Sequence, residues 1–156
     1  MTDGSAGPRR HVFLDKAQPA SYKAAAALSQ QVADAAEAAG VGRALVELVN
    51  LRISQINGCA FCLDLHRRRA LEEGVSERRI AVLSAWSETD LFTEQEQAAL
   101  QLAESITRLP EPVERIYAED VARAVLGDEA YSAVAWVAIT MNAFNRISIT
   151  SHHPVR

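Results

Sequence analysis

The stretch NGCAFCLDLHRRRALEEG, residues 57–74, decides most of the fold. Asn57-Gly58 is a chain breaker of the kind that marks a turn. Beyond it the residues read as a helix that begins near Cys59 and closes at Gly74. The segment before it, from Arg43 to Gln55, is helical too, because Leu45, Leu48, Val49, Ile53 and Ile56 recur at three- and four-residue steps. A Cys-x-x-Cys with a helix on either side and no strand ahead of it argues against a thioredoxin domain, whose dithiol sits in a βαβ setting.

The rest of the chain is helical as well. Upstream, SYKAAAALSQQVADAAEAAG has Ser21 as a candidate N-cap, an Ala-rich body and Gly40 as a stop. Downstream, Ser76 reads as the N-cap of ERRIAVLSAW, and Thr93 with Glu96 forms a capping box. The helix opened by Thr93 ends before Pro110. A helix over Val113 to Leu126 comes next, stopping at Gly127. Asp128 then opens a last helix that is apolar nearly all round and belongs in a core or a subunit interface. No segment alternates with period two. The expectation is an all-α, single-domain bundle of six or seven helices over residues 21–156, behind a mobile segment at 1–20.

Composition bounds the function. With 156 residues, 49% of them apolar and 23% charged, the chain is a folded domain and not a disordered one. A net charge of −4 disfavours nucleic acid as a partner. The longest uncharged run, residues 130–145, falls short of the ~20 residues of a bilayer helix, so no membrane role is expected. Two cysteines exclude a disulfide-rich secreted scaffold and suit a cytoplasmic, thiol-reducing setting, where a close pair is redox-active or metal-binding.

At about 100° per residue, Cys62 lies roughly 60° and His66 roughly 20° around the helix from Cys59, so all three share one face. A helix start favours a thiolate through its free N–H groups and its dipole, and an imidazole within reach can take the proton. Three readings of the cluster stand side by side. It can be a redox dithiol. It can be a zinc site on Cys59, Cys62 and His66, with His152, His153 or Glu47 as fourth ligand. It can also be two cysteines buried as small hydrophobes.

The motif of Glu47, eleven residues, Cys59-x-x-Cys62, three residues and His66 resembles the alkyl hydroperoxidase D-like (AhpD-like) family of the carboxymuconolactone decarboxylase superfamily. The resemblance continues through AWSETDLFTEQEQAALQLAESITRL and NAFNRI. It implies a thiol peroxidase without haem, flavin or other cofactor, acting on organic hydroperoxides. In that scheme Cys62 attacks the peroxide, Cys59 donates a proton and then resolves the sulfenic acid as a disulfide, and His66 with Glu47 relays protons. An external dithiol would reduce the disulfide, and the protein would form a trimer or a trimer-based hexamer. Peroxidases of the family carry His immediately before the second Cys, where this chain has Phe61. The family's decarboxylases lack the dithiol, so lactone decarboxylation is not expected.

Helix pattern alone reads Glu47 differently, as part of a solvated stripe of Arg43, Glu47, Asn50 and Ser54 with an Arg43–Glu47 ion pair. Arg67, Arg68 and Arg69 read as a solvated or intersubunit face, His152 and His153 as surface residues, and Asn142, Asn145 and Arg146 as helix-packing groups. Thiol-disulfide exchange or redox sensing, and a non-catalytic zinc-stabilised assembly protein, are the rival functions.

Overall fold

The computed structural model describes residues 11–155, and among these every regular element is helical. The order is α1 (Leu14–Ala17), α2 (Pro19–Ala38), α3 (Arg43–Asn57), α4 (Ala60–Glu72), α5 (Glu77–Val82), a short 3₁₀ segment (Leu83–Glu88), α6 (Glu94–Arg108) and α7 (Pro112–Ser151). None is long and apolar enough to cross a membrane.

The local chemistry explains the boundaries. Asn57 ends α3, and Gly58 turns the chain in the left-handed region at φ 68°, which glycine adopts without a Cβ clash. Ser76 Oγ accepts from Arg79 N–H as an N-cap, and Thr93 and Glu96 close the expected capping box. Gly127, at φ 79° and ψ 163°, breaks the helical path inside α7, so the two expected helices run on from one another across a kink.

Several boundaries differ from the sequence expectation. The expected ERRIAVLSAW helix gives way at Leu83 to the 3₁₀ segment. Pro19, not Ser21, opens α2, because its fixed φ suits the first helical position and its missing N–H costs nothing there. The helical body also starts before residue 21. Leu14 N–H donates to Ser151 Oγ at 3.0 Å, tying α1 to the end of α7. Of the segment expected to be mobile, residues 1–10 lie outside the described residues.

The most enclosed element is α3. Every residue from Glu47 to Ser54 is buried, polar ones included. It packs on α4, α6 and α7. Leu48, Leu51, Leu83 and Leu100 fill one side of the core, and Val49, Ile53, Leu102 and Val134 fill the other. The second half of α7 buries one face and exposes Trp136, Ile139 and Ile149 on another.

Candidate functional site

The breaker at Asn57-Gly58 places Cys59 as the N-cap of α4, and Cys62 N–H donates to Cys59 Sγ at 3.4 Å. One turn further on, His66 faces back toward α3, where Nδ1–H donates to Glu47 Oε2 at 2.6 Å. A neutral imidazole held this way keeps Nε2 unprotonated and able to accept a proton. Glu47 is 9% exposed and His66 6%. The solvated-stripe reading therefore fails: Arg43 pairs at 3.5 Å with Glu37 on the surface, while Glu47 turns inward.

The two thiols are buried but not equivalent. Cys62, Phe61, His66 and Glu47 line a cavity of about 740 Å³, whose wall includes Val46, Met141 and Phe144, and whose lining does not include Cys59. Cys59 is 1% exposed. Burial first, then the neighbouring Cys62 thiol, push the Cys59 thiol up to about 12, against smaller opposing effects of the Cys62 N–H and Asn145. This corrects the expectation that the helix start would favour a Cys59 thiolate. A helix terminus is worth roughly 0.3–1 kcal/mol, less than tenfold in an acid constant, and desolvation outweighs it.

Asn145, fully buried on α7, builds the floor behind the dithiol. Its Nδ2 donates to Ser54 Oγ at 3.1 Å, and its Oδ1 accepts from Asn57 Nδ2 at 2.9 Å. Asn57 also donates to Asn142 Oδ1 at 2.9 Å. The packing role expected for these asparagines is thus directed at the turn that carries Cys59. Asn145→Leu leaves Asn57 and Ser54 short of buried partners. It is expected to cost about 2–3 kcal/mol in denaturant unfolding; a cost below about 0.5 kcal/mol would show that the network is dispensable.

Other placements have no counterpart in the sequence signals. His153 is half-buried and lines the Cys62 cavity, in contrast to the surface position expected for it, while His152 is exposed. Asp15, Asn50 and Thr140 line the same cavity, and the Thr140 hydroxyl is buried without a hydrogen-bond partner. A polar residue inside an apolar helix is the signal that could have found Asn50; nothing local marks Asp15. Arg67 pairs with Glu77, and Arg68 pairs with Asp64 at 3.1 Å. Among the described residues, no group of three or more His, Cys, Asp or Glu side chains is arranged to hold a metal ion.

Residues 19–105 match the carboxymuconolactone decarboxylase family. YdfG of Bacillus subtilis, an uncharacterized protein, is 39% identical over 111 residues, which span 70% of this chain and 74% of YdfG. YnjA of Escherichia coli, also uncharacterized, is 31% identical over 67 residues, 43% of this chain and 37% of YnjA. The crystal structure of ATU0492 from Agrobacterium tumefaciens superposes with a TM-score of 0.84 at 31% identity, covering 95% of this chain and 99% of that one. That protein is of unknown function, with the name antioxidant defence protein AhpD provisionally attached. The all-helical architecture, the dithiol at a helix start and these likenesses together place the chain in the carboxymuconolactone decarboxylase family, as an AhpD-like member.

Proposed function

We propose that this protein is a thiol-dependent peroxidase that reduces organic hydroperoxides through Cys62 and Cys59. The reading rests on the division of labour between the thiols: Cys62 shares a cavity with a carboxylate-held imidazole, and Cys59 sits sealed behind it. The Cys62 thiol gives its proton to His66 Nε2, and the sulfur attacks the outer peroxide oxygen. The O–O bond breaks, Cys62 becomes a sulfenic acid, and the alcohol leaves with the proton returned by His66. Cys59 then displaces water from the sulfenic sulfur, forming the Cys59–Cys62 disulfide. An external dithiol of a reducing compartment restores both thiols and is itself oxidised.

Two features support the assignment of roles. A Cys59 thiol held up to about 12 stays protonated at neutral pH, so it does not compete for the peroxide, and it gives up its proton as it attacks the sulfenic sulfur. The Glu47 carboxylate orients His66 and stabilises the imidazolium that forms when the proton arrives. Glu47→Gln is expected to lower kcat/KM for cumene hydroperoxide roughly 10–100-fold and to alter its pH profile. An unchanged rate and profile would return Glu47 to a structural role.

The assembly is a homo-oligomer in this reading, a trimer or a hexamer built from trimers. The exposed stripe of Trp136, Ile139 and Ile149, each more than 40% accessible, supplies an apolar surface for a second copy. Light scattering checks the mass, and Trp136→Asp is expected to shift it toward the monomer; a wild-type monomer would overturn this part.

A further inference from the structure

His153 is an imidazole that the peroxidase mechanism does not use, and its surroundings are specific. Nε2 lies 3.2 Å from Asp15 Oδ1, and Nδ1 lies 3.2 Å from Ser148 Oγ. Phe61, the residue before Cys62, meets the ring edge-on with centroids 5.3 Å apart, and Phe13 stacks on it at 6.1 Å. Both nitrogens have partners, so the ring can hold its neighbours in place. The hydrogen bond from His153, ahead of its charge, holds the Asp15 carboxyl below its ordinary range.

The hold matters because α1 is weakly attached. It is one turn long and buries no residue, so apolar packing contributes little to keeping it down. The links that hold it and the residues before it to the C-terminal segment include Leu14 N–H on Ser151, Asp15 on His153, the stack of Phe13 on the same ring, and the His11 ring 4.5 Å from that of His152. Phe13, Asp15 and His153 nevertheless form part of the wall of the cavity onto which Cys62 opens. The N-terminal helix and the C-terminal segment thus meet beside the approach to the reactive thiol.

We propose that Asp15 and His153 form a specificity clasp, which pins α1 beside Phe61 and so limits the bulk of the molecule that reaches Cys62. The clasp rests on the reading that Cys62 is the reacting thiol; its test does not depend on peroxidase turnover. In a Cys59→Ser background Cys62 is the sole thiol, and serine preserves the N-cap. N-ethylmaleimide and fluorescein maleimide share one chemistry and differ in bulk, and their labelling rates are compared with and without Asp15→Ala or His153→Ala. Releasing the clasp is expected to accelerate the bulky reagent roughly tenfold, an effect of the size of one lost charge-assisted hydrogen bond. The small reagent should change less than about twofold. A bulky-reagent rate unmoved in both variants overturns the clasp, and so does equal acceleration of both reagents, which reports general loosening. If hydroperoxide turnover is absent from the wild type while the labelling ratio still shifts, the peroxidase reading fails and the clasp stands.

Discussion

Cys62→Ser is expected to abolish hydroperoxide consumption, by about 10³-fold or more, because a hydroxyl at that position neither ionises at neutral pH nor forms a stable bond to the peroxide oxygen. Cys59→Ser should behave differently. Cys62 can still be oxidised once, but the sulfenic acid has no internal partner, so turnover stops after one equivalent and over-oxidation to sulfinic acid sets in. Mass spectrometry separates the two: a dimedone adduct on Cys62 in the Cys59→Ser protein, and a loss of two hydrogens in the peroxide-treated wild type. The burial of Cys59 makes the asymmetry sharp, since the thiol lies outside the cavity lining that an oxidant would reach. Equal consumption by wild type and Cys62→Ser would remove the dithiol from the chemistry.

Arg52→Leu is expected to destabilise the fold as strongly as Asn145→Leu. Arg52 Nε donates to Glu104 Oε1 at 2.6 Å, and both side chains are largely enclosed, at 9% and 18% exposure. Glu104 also accepts from Trp86 Nε1 at 2.9 Å and from Arg108 at 2.5 Å. Removing one partner of a buried pair costs ~3–5 kcal/mol when the other charge is stranded. Because Trp86 and Arg108 remain, about 2–3 kcal/mol is expected here, a fall in Tm of roughly 5–10 °C for a domain of this size.

The same pair has a pH signature. Burial pushes the Glu104 carboxyl up, but the hydrogen bonds from Trp86 and Arg52 and the charges of Arg52 and Arg108 outweigh it, leaving the group below its ordinary value. A carboxyl lowered in the folded state contributes stability above its unfolded pKa and loses it as the pH falls through the folded one. The Tm gap between wild type and Arg52→Leu should therefore be full at neutral pH and narrow below about pH 4. A gap that stays constant down to pH 2 would assign the loss to packing alone.

Most of the helices, several of their caps and the dithiol are legible from local signals. Three- and four-residue apolar spacing, Gly58 after α3, Ser76 and the Thr93–Glu96 box each act within a few residues of chain, so the sequence carries them openly. Glu47 is ambiguous because its spacing fits an exposed ion-pair stripe as well as an inward relay. Periodicity reports which residues share a face, not which face meets water. His153 misleads for a related reason: nearness to the chain end suggests the surface, and its partner Asp15 is 138 residues away along the chain.

Local propensity and breaker residues were enough to establish the helical class and the placement of the Cys59–Cys62 pair at a helix start. Packing between distant segments had to be seen before three further facts were known. It encloses α3 on all sides and so turns Glu47 inward onto His66. It opens Cys62 on a cavity while sealing Cys59, and it brings Asp15 and His153 together beside Phe61. Desolvation is the physical reason for the difference. Whether a polar group is a surface charge, a relay or a suppressed thiol depends on how much water its neighbours exclude, and those neighbours come from distant parts of the chain.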